Sequence, residues 1–188
     1  MTTTAGITIS PKVLATASGS FTFPAKFTLV AAQNPCPCGY LGDLTKQCVC
    51  SPGQIFKYQK KISGPLLDRI DLHVDVPRLP YEKMAATAQA ETSQNIKSRV
   101  EAARKIQVQR FSKSKTNSEM NLVEIKEYCK IGLPEQQLLK QAMKQYNFSG
   151  RSLHRILKVA RTIADLAGVE NIILSHLAEA IQYRPKTE

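Results

Sequence analysis

The chain has 188 residues, of which 43% are hydrophobic, and this composition indicates one or two small globular domains and excludes a disordered chain. The formal net charge is +11, but the basic excess is spread evenly along the sequence, which indicates a polyanion-binding surface less strongly than a concentrated stripe would. No stretch approaches the roughly 20 apolar residues of a membrane span, and residues 1–4 lack signal-peptide features, so we expect no membrane association.

The first part of the chain predicts strands. Residues 7–10 and 20–23 alternate apolar and polar side chains and predict a hairpin with a loose connection. The apolar run 26–32 predicts a buried parallel strand. Residues 72–76 alternate again and predict a strand that Pro77 ends.

Two short helices and a loop rich in cysteine, proline and glycine lie between these strands. The Cys-rich loop covers residues 36–50. Ser51 followed by Pro52 predicts an N-cap and a first helical position, with the helix reaching residue 61. Residues 63–69 predict a second short helix.

The remainder of the chain reads as helical. The sequence therefore predicts an α/β fold followed by an all-α fold, with domains at 1–80 and 81–188 and a linker at 77–90. The first domain has too few strands to close a sheet, so we expect it to be the C-terminal part of a larger domain. Helical periodicity and end signals predict five helices, at 91–111, 122–130, 134–146, 151–167 and 175–183.

Asn34 follows the apolar strand at the position where open α/β sheets place ligands. A side-chain amide both donates and accepts, so it can orient a water molecule against a phosphate without adding charge. The alternative is an ordinary turn formed by Asn34 and Pro35. The spacing alone leaves both interpretations open.

Arg69 is a candidate for stabilising charge on a transferring phosphoryl group. It ends a short helix just before a strand, and from such a position a guanidinium can project across a subunit boundary. The alternative is a structural ion pair with Asp68 or Asp71, which are close in sequence.

Arg151 begins a strongly amphipathic helix, from which its guanidinium can reach a phosphate held by a neighbouring domain. Arg155 and Arg161 lie on the same helix and are rival candidates. A solvated basic face is the alternative for each of the three.

Four clustered cysteines, Cys36, Cys38, Cys48 and Cys50, predict a metal site. Four thiolates complete a tetrahedral zinc shell and leave no open position, so we expect a structural role and not a catalytic one. A single residue between paired cysteines is tighter than the usual spacing, and free thiols or disulfides remain alternatives. Such a cluster fits the reducing cytoplasm, and the lone Cys129 is expected to be a buried thiol.

Long ordered motifs resemble the YifB/ComM family, the magnesium chelatase subunit ChlI-like AAA+ ATPases. The resemblance extends over about residues 6–185. It rests on GITIS at 6–10, GSFTFPAK at 19–26, FTLVAAQNPCPCG at 27–39, SPGQ at 51–54, SGPLLDRIDL at 63–72 and the helix opening at 150–165.

The resemblance implies a partial AAA+ core, made of a hairpin and the C-terminal strands of a parallel sheet, followed by a helical lid. It implies ATP and Mg²⁺ as cofactors of a homo-hexamer. Asn34 resembles the sensor-1 residue, Arg69 the arginine finger and Arg151 sensor 2. The hairpin is similar to an insertion that points into the pore of ring helicases, so Lys12 is implied to contact DNA.

The sequence lacks Gly-x-x-x-x-Gly-Lys-Ser/Thr and an acidic-ended strand for magnesium, which full family members carry. We therefore expect a C-terminal fragment whose intact protein couples ATP hydrolysis to DNA remodelling or branch migration, the fragment alone being inactive. The alternative is a non-enzymatic, zinc-stapled basic module that binds nucleic acid or a partner protein. Metal insertion, which the chelatase name suggests, ranks below both.

Overall fold

The computed structural model describes residues 2–8, 12–16, 19–23, 27–79 and 91–185, with side chains in the last two ranges. The chain divides into two compact units, Met1–Arg78 and Leu79–Glu188. Strands and short helices form the first unit and helices form the second, and most of the predicted linker at 77–90 lies outside the described residues. No described helix combines the length and the apolar character needed to cross a membrane.

The first unit contains a three-stranded antiparallel sheet and a separate two-stranded ribbon. In chain order the strands are β1 (Thr2–Thr8), β2 (Lys12–Thr16), β3 (Gly19–Phe23), β4 (Thr28–Gln33) and β5 (Leu72–Val76). The sheet has the order β4-β1-β5, with both neighbours antiparallel to β1. The ribbon pairs β2 with β3.

The predicted pairing of residues 7–10 with 20–23 is wrong. Residues 7 and 8 belong to β1, and β3 pairs instead with β2. The small and polar residues of β1 carry little hydrophobic signal, and the stretch that forms β2 was interpreted as a loose connection. The strand at 72–76 is confirmed as β5.

The prediction of a buried parallel strand at 26–32 is also wrong. A strand forms at Thr28–Gln33, but it runs antiparallel to β1. Its residues are mostly exposed, and the exposed fraction of Val30 is 70%. Continuous apolar runs are typical of parallel strands that are buried on both faces, but the direction of a strand is decided by its partner, which here is the antiparallel β1.

The two short helices are confirmed as α1 (Pro52–Gln59) and α2 (Gly64–Leu67). Ser51 caps α1 through a capping box, because its Oγ accepts from the backbone N–H of Gln54 while the Gln54 side chain accepts from the Ser51 backbone N–H. Just after α2, the buried Ile70 packs against Leu29 of β4. This contact fixes the α2 region against the sheet.

The five predicted helices of the second unit are confirmed, with ends shifted by one or two residues. A short 3₁₀ turn, Asn117–Glu119, lies between the first two of these helices. The helices are α3 (Ser93–Phe111), α4 (Leu122–Tyr128), α5 (Leu133–Gln145), α6 (Gly150–Leu166) and α7 (Leu174–Gln182).

Helix α6 is the centre of the helical unit. Ser149 caps its first turn by accepting the Ser152 backbone N–H at 3.2 Å, and Gly168 ends it with a left-handed φ of +70°. Its apolar positions lie on one face and pack into the core. The buried core residues are Met120, Ile125, Cys129, Leu139, Ile156, Ala160, Ala164, Ile172, Leu177 and Ala180.

Candidate functional site

Asn34 lies directly after β4 and is exposed. Its side chain lies next to Gly39, because a Cβ added to Gly39 would lie 3.7 Å from the Asn34 Nδ2, an ordinary van der Waals distance. Gly39 has φ of +81°, a left-handed conformation that glycine adopts without strain. The amide of Asn34 is therefore presented at the strand end, against the turn that follows.

That turn carries the cysteine cluster. The Gly39 backbone N–H donates to the Cys36 carbonyl at 3.0 Å, and the tight turn brings the Sγ atoms of Cys36 and Cys38 to 3.4 Å. The Cys48 Sγ lies 3.7 Å from that of Cys36 and 3.5 Å from that of Cys38. All four Sγ atoms, including that of Cys50, lie within 4.8 Å of one another.

The tight spacing of each cysteine pair is compatible with a shared metal site, because the turn lets both Sγ atoms of a Cys-x-Cys pair face the same point. Within the described residues the cysteines are free thiols. One metal ion can contact all four sulfur atoms, and no other kind of ligand is needed to complete a four-coordinate site.

Hydrogen bonds hold the loop between its cysteine pairs and at its base. The Asp43 Oδ1 accepts from the backbone N–H and the hydroxyl of Thr45, both at 2.7 Å, and these bonds lower the pKa of the Asp43 carboxyl. An Arg78 Nη1 lies 3.7 Å from the Asp43 Oδ2. At the base, the Gln59 Nε2 donates to the Pro35 carbonyl at 3.3 Å.

The thiols differ in acidity. The backbone N–H groups of Tyr40 and Val49 hydrogen-bond to Cys38 and lower its pKa from 9.0 to about 6. The Cys50 backbone N–H favours the Cys48 thiolate, but burial and hydrogen bonds among the thiols outweigh it and raise the Cys48 pKa to about 12. Burial raises the pKa of Cys50. Metal binding must therefore remove protons from Cys48 and Cys50.

Arg69 lies in the turn after α2 and is exposed. Its Nη1 donates to the Pro65 carbonyl at 2.8 Å, which folds the side chain back along its own helix. The neighbouring Ile70 is anchored on Leu29 of β4, so Arg69 and the strand that precedes Asn34 belong to packed elements. A single hydrogen bond to a carbonyl leaves the other guanidinium donors available to a ligand.

Arg151 is the second residue of α6 and is exposed. Just after it, the buried Ser152 is held by the capping residue Ser149 and by Arg184, whose Nη2 lies 3.2 Å from the Ser152 Oγ. The start of α6 is thereby fixed while the Arg151 side chain stays at the surface. Arg155 is half-buried.

Arg161 is excluded as a surface phosphate contact. It is 3% exposed, and its Nε donates to the Asp165 Oδ1 at 3.1 Å. Its Nη atoms donate to the carbonyls of Val169 and Glu170, just beyond the end of α6. Burial lowers the pKa of this guanidinium, and the Asp165 charge opposes that shift. The residue is structural.

Asp165 is the centre of a buried polar network that the sequence analysis missed. Arg110 donates to both of its carboxylate oxygens, and the Asn117 Nδ2 donates to the Oδ2 at 2.7 Å. The Arg110 Nη1 also donates to the Asn117 Oδ1 at 2.8 Å. Hydrogen bonding to Asp165 raises the Arg110 pKa. The spacing of Arg161 and Asp165 on one helix turn was the available signal.

Lys12 is the first residue of β2 in the two-stranded ribbon. The structure describes only the backbone position of Lys12. Asn34, Arg69 and the four clustered cysteines lie in the first unit, and Arg151 lies in the second.

Comparison with known proteins extends over both units. The family model described as magnesium chelatase, subunit ChlI, matches residues 10–84, and the model of the ChlI C-terminal region matches residues 90–184. Competence protein ComM of Haemophilus influenzae is 42% identical over 174 residues, which is 92% of this chain and 33% of ComM. Uncharacterized protein YifB of Escherichia coli is 39% identical over 165 residues, 87% of this chain and 32% of YifB.

The chain thus spans about a third of the length of the curated relatives that it matches. The matched residues include the strand end at Asn34, the cysteine loop, Arg69 and the start of α6. The chain belongs to the YifB/ComM family of magnesium chelatase subunit ChlI-like proteins.

Proposed function

We propose that this chain is part of a hexameric AAA+ ATPase of the cytoplasm that couples hydrolysis of ATP, bound with Mg²⁺, to the remodelling or branch migration of DNA. The observation that carries the proposal is the family match over both units, with a polar amide directly after β4. In this proposal the first unit is the C-terminal part of the AAA+ core and the second is its lid. Lys12 on the β2–β3 ribbon contacts DNA.

The proposed roles follow from donor chemistry. Asn34 orients the attacking water against the γ-phosphate, since its amide donates and accepts without adding charge. Arg151 stabilises the charge of that phosphate within the same subunit. Arg69 acts from the neighbouring subunit, and its exposed guanidinium is free to exchange the Pro65 carbonyl for a phosphate.

Substitution of Arg69 tests the catalytic assignment. In the full-length protein, Arg69→Ala is expected to keep nucleotide binding and to lower kcat by roughly 10³–10⁵, the range for arginine fingers. Arg99→Ala is the matched control, because Arg99 is an exposed arginine paired with Glu91 on the surface. Turnover of Arg69→Ala near that of Arg99→Ala would show that Arg69 is not the finger.

Mixed hexamers separate action within a subunit from action across a boundary. Asn34→Ala and Arg69→Ala proteins are each expected to be inactive, and a mixture of the two is expected to regain activity. Interfaces in which an intact Arg69 faces an intact Asn34 then form by chance. A mixture as inactive as its components would indicate that both residues act from the same subunit.

We further propose zinc as the metal of the cysteine loop. A tetrahedral zinc centre with Zn–S bonds of about 2.3 Å separates its sulfur atoms by about 3.8 Å, and three of the pairs here lie at 3.4, 3.5 and 3.7 Å. We expect about one zinc per chain. Four thiols should react with a thiol reagent after chelation, while the buried Cys129, whose pKa burial raises to about 11, reacts only in denaturant.

A second candidate function is a non-enzymatic basic module. The net charge of +11 and the cysteine cluster favour it for this chain taken by itself. Such a module binds DNA with an affinity that falls steeply with salt, and the slope reports the number of phosphate contacts. Salt-dependent binding by the chain, together with normal turnover of the Arg69→Ala full-length protein, would favour this second function.

A further inference from the structure

We propose that the cysteine loop at residues 36–50 is a positioning device for Asn34, so that metal occupancy sets where the Asn34 amide lies and thereby controls turnover of bound ATP. This inference rests on the function proposed above. It assigns to the metal a role in the active site that a simple structural staple does not have.

The first line of support is the short path between the thiols and the amide. Cys36 is two residues after Asn34 and is fully buried. The Cys36 carbonyl accepts the Gly39 backbone N–H at 3.0 Å, and the Asn34 side chain lies next to Gly39. Cys36 and Cys38 both lie in this turn, so fixing their sulfur atoms fixes the turn beside the Asn34 amide.

The second line of support is another path from the thiols, which passes through α1 and ends at the residue after Asn34. Cys50 is followed directly by Ser51, which caps α1 through its capping box. At the far end of α1, the Gln59 Nε2 donates to the carbonyl of Pro35, the residue after Asn34. Metal bound to both cysteine pairs therefore restrains Asn34 through the turn and through α1 together.

Without metal, the thiol cluster is joined by weak sulfur contacts of 3.4 to 3.7 Å. The turn can then relax, and the Asn34 amide loses its fixed neighbour. A misplacement of about 1 Å in an active site can lower turnover by roughly 100-fold, so a small relaxation is enough.

The closing experiment reads the position of Asn34 directly. In ¹⁵N spectra of the chain, its side-chain amide, assigned by its loss in Asn34→Ala, should shift when zinc is chelated and return when zinc alone is added. The Ile70 methyl signal should stay in place, because Ile70 packs on Leu29 and Leu67, neither of which belongs to the loop. An unmoved Asn34 amide would overturn the inference, and so would joint movement of Asn34 and Ile70, which would indicate general loss of structure.

Two glycine variants provide a matched pair that needs no chelator. Gly39→Ala and Gly168→Ala impose the same kind of backbone strain, with φ of +81° and +70°, but only Gly39 lies in the cysteine loop next to the Asn34 side chain. Gly39→Ala should shift the Asn34 amide and Gly168→Ala should not. Equal shifts in both variants would overturn the inference.

Turnover of the full-length protein completes the test. Zinc removal should lower kcat about 10- to 100-fold with little change in KM for ATP. Unchanged kcat in zinc-free protein would overturn the inference even if the amide moves. If the amide moves but Asn34→Ala has normal turnover, the proposed role of Asn34 fails and the control of turnover fails with it, whereas the spectra still show that the metal positions the amide.

Discussion

Replacement of Asp165 by asparagine tests the buried network of the helical unit. Asp165 is 2% exposed and accepts hydrogen bonds from Arg110, Asn117 and Arg161. Asparagine has the same shape but no charge, and it presents an N–H₂ group to side chains that donate. Two guanidiniums, which are 11% and 4% exposed, would then share a site without a counter-charge.

Removing one partner of a buried ion pair costs about 3–5 kcal/mol, because the remaining charge is left without compensation. Domains unfold with a total of about 5–15 kcal/mol, so Asp165→Asn should remove a large part of the stability of the helical unit. At roughly 4 °C per kcal/mol, a value for domains near 100 residues, the unfolding midpoint should fall by about 12–20 °C.

The measurement is thermal and urea unfolding followed by far-ultraviolet circular dichroism, in which the helical unit supplies most of the signal. Glu101→Gln is the matched control. Its carboxylate lies 3.7 Å from the Lys97 Nζ in an exposed i,i+4 pair, so its loss should cost less than about 0.5 kcal/mol. A loss below about 1 kcal/mol for Asp165→Asn would refute the argument that the network carries the stability of the unit.

Two further predictions concern the same unit. Lys115 donates to both carboxylate oxygens of Glu124 and lowers the pKa of that carboxyl group. Glu124→Gln should therefore reduce the free energy of unfolding at pH 7. This difference from the unsubstituted protein should disappear as the pH falls below the usual pKa of 4.5 and through the lowered pKa of the folded state. A loss that stays constant over this pH range in urea titrations would contradict the pairing. Gly168→Ala should cost about 1–2 kcal/mol through its left-handed φ alone, since nothing lies within 4 Å of the added Cβ. Gly150→Ala, also in open space but helical, should instead be stabilising by about 0.5–1 kcal/mol, and similar effects from both changes would be the contrary result.

The helices could be predicted because their signals are local. The cap Ser149, the apolar spacing along α6 and the stop at Gly168 all lie within about twenty residues, and the structure follows them closely. The same holds for α1, which Ser51 caps as expected, and Gln54 completes a capping box that was not predicted. The clustering of the four cysteines was also predictable, because four thiols in a short loop are typical of a metal site.

The sheet and the buried network could not be predicted in the same way, because they depend on contacts between distant residues. The central strand β1 was missed, since pairing with β4 and β5 and not its own hydrophobicity decides its place. Asp165 meets Arg110 across 55 sequence positions. Asn34 lies next to Gly39 in a turn whose shape depends on a left-handed glycine backbone. The residue identities alone do not specify that backbone conformation.

The network around Asp165 also restricts the register in which the helices can pack. Apolar side chains tolerate sliding, because one leucine-sized contact can replace another. A slip of α3 by one turn moves Arg110 by about 5.4 Å along the axis, twice the length of its hydrogen bonds to Asp165. Such a slip leaves the Arg110 guanidinium without its carboxylate partner and leaves Asp165 with only Arg161 and Asn117. The ionic contacts therefore select one alignment among several that the apolar core alone would accept.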